Sequence, residues 1–197
     1  LIFVGRLESA KGIYICLDIV QKLLTHFEVH LEVLGDGSEI RKLQARCASL
    51  KIEPFVTFHG WVPHDQVKRH LAEAHLILLP SASEGWPKAL SEAMAYGVVP
   101  IASNVSAIPQ ILSETQTGFA LPSSDVDQYI ESILNLVNEP LKWNAMVQAG
   151  LRAAPRFSYE QYIINLDNMF QDYYNSSPMN QSVVYEMQKQ IEGFYAS

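Results

Sequence analysis

The sequence predicts an α/β fold: a doubly wound, mostly parallel β-sheet flanked by helices, followed by a helical C-terminal tail. Three observations predict it. Short apolar or β-branched runs alternate with helical patterns from Leu1 to Leu121. The connections between them are short, and alternation of this kind produces parallel strands whose two faces both need covering by helices. After Pro122 the strand runs stop and helical patterns follow one another.

Taken in order, the strand candidates are "LIFVG" (1–5), "HLEVLG" (30–35), "FVTFHG" (55–60), "HLILLP" (75–80), "VVPIAS" (98–103) and a weaker "GFAL" (118–121). Each is short, and the first three end on glycine. Between them, "GIYICLDIVQKLLTHF" puts Ile13, Leu17, Val20 and Leu24 on one helical face. "SEIRKLQARCASL" offers Ser38 as an N-cap. "PHDQVKRHLAEA" carries Pro63 near its first turn, where the absent N–H costs nothing. "PKALSEAMAYG" starts at Pro87 and stops at Gly97, a residue suited to the left-handed position after a helix. Three further helices are read in "SDVDQYIESILNLVNEP", "LKWNAMVQAGLRAAPRF" and "SYEQYIINLDNMFQDYYN". A polar break, "SSPMNQS" (176–182), precedes a last helical candidate over 183–195.

Composition narrows the function classes. Hydrophobic residues make up 48% and charged residues 18%, the balance of a folded globular chain rather than a disordered one. A net charge of −7 without any basic tract argues against nucleic acid or an acidic membrane as main partner. Cys16 and Cys47 show neither a CxxC nor a metal-ligand spacing, so they read as buried, reduced thiols. No apolar run approaches the about 20 residues that span a bilayer, and no basic-then-apolar leader is seen, which predicts a cytoplasmic protein. The chain opens at Leu1, without Met and directly in a strand, which predicts a piece of a longer protein.

Parallel sheets of this kind bind ligands at the carboxyl ends of their strands. The loop after the first strand, "GRLESAKG", holds Gly5, Arg6, Lys11 and Gly12. Its two cations suit convergence on one anion, Arg forking onto phosphate oxygens and Lys acting as a point charge. A solvated loop with two surface charges fits the same residues. "LGDGSE" after the second strand reads as a tight turn. After the third, "HGWVPHD" offers the Gly60–Val62 backbone to a base or sugar, while Trp61 reads as packing and His59 and His64 as structural. The six histidines are scattered along the sequence and suggest no metal.

The fourth loop is the most informative. In "SEGWPKALSEAMAYG", Glu84 lies at the strand edge and Glu92 two helical turns into the next helix. Gly85 permits close approach of a ligand to the main chain. The N–H groups of Lys88, Ala89 and Leu90 open the helix and aim at the same crevice, an anion site by virtue of the helix dipole. Two carboxylates bracketing such a site accept hydrogen bonds from hydroxyls. The arrangement suits a nucleotide sugar, with hydroxyls at both ends and phosphates between. A local cap and a surface acid are the plainer alternative.

These segments, with "VTFHGWVPHDQV" and "IPQILSETQTGFAL", resemble in order and spacing the C-terminal, donor-binding domain of retaining glycosyltransferases of family 4, one half of a GT-B fold with Rossmann-like architecture. The resemblance covers roughly residues 1–175, leaving 176–197 as polar break and helical tail. It implies that Arg6 and Lys11 bind the diphosphate and, with Glu84, form the catalytic set. Glu84 would hold hydroxyls of the transferred sugar and Glu92 those of the ribose. Gly5, Gly60, Trp61, Gly85, Trp86, Pro87, Lys88 and Ala89 would complete the donor-binding surface. No metal and no cofactor are implied; the substrate would be a UDP-, GDP- or ADP-linked sugar.

The sequence departs from the family at "EGWP", where members more often read Glu-Gly-Phe-Gly. Pro87 removes an N–H, and a pocket narrowed by Trp86 is an expected source of donor choice. The resemblance also implies an N-terminal half that carries the glycan or lipid-linked acceptor and any contact with the inner membrane. Rival readings are a GT-B nucleotide-sugar epimerase half, a non-catalytic GT-B-like scaffold, and a receiver-like or nucleotide-sensing module. The receiver reading lacks the acidic residues it needs after the first strand.

Overall fold

The computed structural model describes residues 1–85 and 87–176, and the side chains of these as far as Tyr173. The break at 177–182, the helix expected over 183–195 and every expectation for Trp86 lie outside the described residues. The chain comprises two compact units, Leu1–Ala154 and a second beginning at Pro155.

In the first unit six strands form one sheet: β1 (Ile2–Val4), β2 (Leu31–Leu34), β3 (Val56–Gly60), β4 (Leu76–Leu79), β5 (Val99–Ser103) and β6 (Phe119–Leu121). All pair in parallel, in the order β3-β2-β1-β4-β5-β6. This is the Rossmann-like doubly wound order, whose direction reverses between β1 and β4 and so opens a crevice at their carboxyl ends.

The helices follow from apolar spacing. In α1 (Ile13–Leu23), Ile13, Cys16, Leu17, Val20 and Leu23 recur every three to four residues and are buried. With Leu43 and Cys47 of α2 (Ile40–Leu50) and Tyr129, Ile133 and Leu136 of α6 (Val126–Asn138), they cover one face of the sheet. The other face is covered by Val67 and Leu71 of α3 (His64–Glu73), Leu90 and Ala93 of α4 (Lys88–Ala95), and Ile108 and Leu112 of α5 (Ile108–Thr115). Each Val, Leu or Ile among them taken fully from water contributes about 1.5–3 kcal/mol. The helix α7 (Pro140–Ala153) packs against α4 and α6, Gly150 lying directly over Met94.

Three details differ from expectation. The N-cap of α2 is Glu39, without a side-chain capping bond, rather than Ser38; Glu39 is drawn away by the Tyr14 hydroxyl, which donates to its carboxylate at 2.6 Å. Leu24 lies just past the end of α1 and is only partly buried. The helix α5 was not expected, although Pro109 at its start and the Ile108–Leu112 spacing carry its signal. Gly97 follows α4 with φ 74°, as its left-handed position requires.

A short 3-10 turn (Ala154–Phe157) runs from the last residue of the first unit into the second, which continues as α8 (Tyr159–Ser176). Tyr162, Ile163, Met169 and Phe170 are exposed along α8. Among the described residues no helix is long and apolar enough to cross a membrane.

Both cysteines are free and buried. Burial pushes the Cys16 thiol pKa up from its ordinary 9.0. Burial, and secondarily the charge of Glu53, raises that of Cys47 to about 11. Burial also raises the Tyr129 phenol, and burial followed by the Glu39 hydrogen bond takes Tyr14 to about 12. A group whose folded pKa exceeds its unfolded value supports the fold fully below the unfolded value and loses that support as pH rises through the folded one. The urea midpoint is therefore expected to fall steadily above about pH 9, where the unfolded thiols begin to ionise, and a thiol reagent to find neither cysteine until the chain is denatured. Two rapidly reacting thiols in the native chain would contradict this.

Candidate functional site

The crevice at the β1–β4 reversal is built from two loops locked to each other. After β1 the chain turns at Gly5, whose N–H donates to the Leu34 carbonyl, and Leu7 is buried in the core with its N–H on the Asp36 carbonyl. A 3-10 turn, Ser9–Lys11, ends at Gly12, which caps α1 with φ 75°. The loop after β4 joins it: the Ala82 N–H donates to the Ala10 carbonyl at 2.9 Å, and buried Ser81 sets its hydroxyl 3.4 Å from the Lys11 carbonyl. "GDG" is the tight turn its sequence suggests, with the Gly37 N–H on Asp36 Oδ1 at 2.7 Å, and it seats against the Gly5–Leu7 loop.

This frame brings together Lys11 and Glu84, 73 positions apart in sequence, with Lys11 Nζ 2.8 Å from Glu84 Oε1. Their side chains are 30% and 10% exposed, so the pair is largely shielded from solvent. The Ser106 hydroxyl donates to the Glu84 main-chain carbonyl and pins the loop from the β5–α5 connection. A pocket of about 320 Å³ is lined by Gly5, Arg6, Lys11, Ser81, Glu84 and the start of α4. Pro87, buried, is the N-cap of α4, and Lys88 and Ala89 line the pocket. The Leu90 N–H does not serve it: that group is spent on the Pro87 carbonyl at 3.0 Å. A Cβ on Gly85 would meet open space, so the main chain there is approachable from outside.

A second pocket, of about 390 Å³, shares Val4, Gly5 and Arg6 with the first and extends to Gly35, Asp36, Trp61 and Val67. Trp61 is 75% exposed, which overturns its reading as a packing residue. It follows Gly60, whose φ of 70° turns the chain outward at the end of β3. Arg6 therefore stands between two concavities. Its guanidinium lies on the surface, 3.2 Å from Glu8 Oε2, and does not meet Lys11 on a common partner.

Glu92 stands outside the lining of both pockets. Its carboxylate is 3.1 Å from His64 Nε2, on the first turn of α3. His64, expected to be a lone structural histidine, instead pairs with Glu92 from α3 to α4, a partnership with no local signal in the sequence. The same holds for Ser106, which holds the Glu84 loop from 22 positions away, whereas Glu8, which holds Arg6, is only two residues from it. Two of the six histidines come together in space: His59 and His70 gather on Glu32.

A reversal-point crevice with a lysine, a carboxylate and a helix start on one pocket defines the chain as a Rossmann-like domain with a site suited to an anionic, hydroxyl-bearing ligand. Comparison with known proteins gives the family. Residues 1–152 match the model for glycosyl transferases group 1, and the chain belongs to that family. A lipopolysaccharide 1,6-galactosyltransferase of Salmonella typhimurium is 28% identical over 172 residues, covering 85% of this chain and 47% of that protein. The amylovoran biosynthesis glycosyltransferase AmsK of Erwinia amylovora is 31% identical over 142 residues, covering 68% of this chain and 34% of its own length. The chain thus spans less than half the length of these relatives. Among solved structures, a sucrose-phosphate synthase from Thermosynechococcus elongatus superposes with TM-score 0.78 at 21% identity, covering 89% and 45% of the two chains. Anabaena HepE in complex with UDP-glucose gives TM-score 0.76 at 18% identity, covering 89% and 48%. These structures share the fold.

Proposed function

We propose that this chain is the donor-binding half of a retaining glycosyltransferase, which moves a sugar from a nucleotide-diphosphate sugar to a glycan or lipid-linked acceptor. The observation that carries the reading is the convergence of Lys11, Glu84 and the start of α4 on one pocket at the β1–β4 reversal. In this reading the diphosphate lies beside Arg6, between the two pockets, and the base reaches toward Gly60 and Trp61. The transferred sugar sits against Glu84 and the Gly85 main chain.

The chemistry asked of these residues is stabilisation of charge. As the glycosidic bond breaks, the leaving diphosphate gains negative charge. Lys11, Arg6 and the N–H groups opening α4 are placed to receive it without reorganising. In this reading no metal is needed for that task. Glu84 holds Lys11 in register and accepts hydroxyls of the sugar. Glu92 is the proposed ribose acceptor; reaching it requires the ribose to lie along α4 beside His64. The structural neighbour HepE is solved with UDP-glucose and TarM of S. aureus with UDP, which favours a uridine donor here.

Sugar transfer then needs the acceptor half of the longer enzyme, working in the cytoplasm and touching a membrane only through that half. Calorimetric titration of the 197-residue chain with UDP, GDP and ADP tests the reading. Binding of UDP above the others, weakened at least tenfold in Arg6→Ala and in Glu92→Ala, and no measurable sugar transfer by this chain are the expected results. Equal affinity of the two variants and the parent chain would overturn it.

A further inference from the structure

The geometry points to a divalent transition-metal site of the zinc type on Glu32, His59 and His70, apart from the donor pocket and independent of the function proposed for it. The three residues come from β2, β3 and α3, and the fold has a specific means of uniting them. Along β2, Leu31 and Val33 point into one core layer and Leu34 into the other, so Glu32 faces the α3 side. Along β3 the register runs Glu32↔Thr57 and Val33↔Phe58, then jumps to Leu34↔Gly60. Val56 and Phe58 of β3 pack in the same layer as Leu31 and Val33, so strand alternation puts Thr57 and His59 on the α3 side, and the shift in register brings His59 beside Glu32. On α3, His70 lies three residues after buried Val67 and one before buried Leu71, on the flank that meets the sheet.

The donor atoms converge. His59 Nε2 contacts Glu32 Oε2, and His70 Nδ1 lies 3.8 Å from the same oxygen. The two imidazoles are 4.4 Å apart between ring centroids, tilted at 54°. One donor atom from each of the three residues lies within 4.8 Å of the other two. Around an ion with bonds of about 2.0–2.1 Å, tetrahedral donors sit about 3.4 Å apart, so side-chain rotations of about 1 Å close the set.

Two imidazole nitrogens and one carboxylate oxygen form a borderline donor set, suited to Zn²⁺ or Co²⁺ and poorly suited to Mg²⁺ or Ca²⁺. The side chains are 26%, 26% and 35% exposed, and β3 is the edge strand, so an ion can enter and water can complete its coordination. Bound there, it ties the edge strand and α3 to β2.

Titration of the 197-residue chain with Co²⁺, followed by its visible absorption bands, tests the site, with Zn²⁺ as competitor. One saturable site is expected, displaced by Zn²⁺ and weakened at least tenfold in His59→Ala, His70→Ala and Glu32→Gln. It should persist in His26→Ala and His30→Ala. Zn²⁺ at a hundredfold excess over Kd should raise Tm by roughly 5–10 °C in the parent chain and not in the first three variants. Circular dichroism of each variant without metal establishes that it folds; His59→Gln and His70→Asn replace any alanine variant that does not. No saturable Co²⁺ binding, or binding unchanged by loss of His59 and His70, or binding that depends on His30 instead, would overturn the proposal.

Discussion

Replacing Lys11 by alanine is expected to weaken nucleoside diphosphate binding at least tenfold and to destabilise the free domain as well. The two effects share one cause. Lys11 is the sole cation on Glu84 among the described contacts, and the Glu84 side chain is only 10% exposed. Removing the ammonium leaves a shielded carboxylate without its partner, which costs about 1–3 kcal/mol once the partial exposure of Lys11 is allowed for. The same change takes a positive charge from the wall of the pocket where the diphosphate is proposed to sit.

Arg6→Ala separates the two effects. Its partner Glu8 is on the surface, with side chains 75% and 39% exposed, so the pair contributes at most about 0.5 kcal/mol. That variant should melt like the parent chain and still lose affinity. A double change, Lys11→Met with Glu84→Gln, removes the unpaired charge; it should recover stability and leave binding weak. Thermal melts and UDP titrations on these variants decide the matter. A Lys11→Ala chain as stable as the parent would show that the pair positions nothing.

The contrast between these two cations shows what the sequence could carry. Among the described residues, six strands, seven of eight α-helices and the crevice were legible because each rests on a local signal: apolar periodicity, a glycine or proline at a turn, alternation of element types. The position of Lys11 and Glu84 was legible at the level of strand ends, since topology alone brings the β1 and β4 loops together. Which cation meets which carboxylate was not. Arg6 is closer to Glu8 in sequence than to any other acid, and that pairing wins over convergence with Lys11. The Glu92–His64 and Glu32–His59–His70 groupings depend on how α3 lies against its neighbours and, for the second, on the register of β3 against β2. Side-chain partners across elements are decided by packing of whole faces, and no short segment records that.

Gly12→Ala and Gly35→Ala are expected to destabilise the domain more than any surface change, each by about 3 kcal/mol or more, a fall in Tm of roughly 6–12 °C. Gly12 has φ +75° and Gly35 φ +140°, conformations that a side chain strains. Space is the larger obstacle. A Cβ on Gly12 would stand 2.1 Å from the Pro80 carbonyl oxygen, and one on Gly35 1.8 Å from that of Gly5. Both obstructing atoms belong to main chain at the ends of β4 and β1, so relief requires parting the loops that frame the crevice. Gly85→Ala is the matched comparison: its Cβ would meet open space, so it should cost under about 1 kcal/mol. If the donor approaches the main chain there, the added methyl instead lowers affinity for the nucleotide sugar more than for the nucleotide alone. Urea unfolding of the three variants measures the first contrast and paired titrations the second. A Gly35→Ala chain within about 1 kcal/mol of the parent would mean that the β1 and β2 loops separate easily, and that the crevice is held by Lys11 and Glu84 rather than by its backbone.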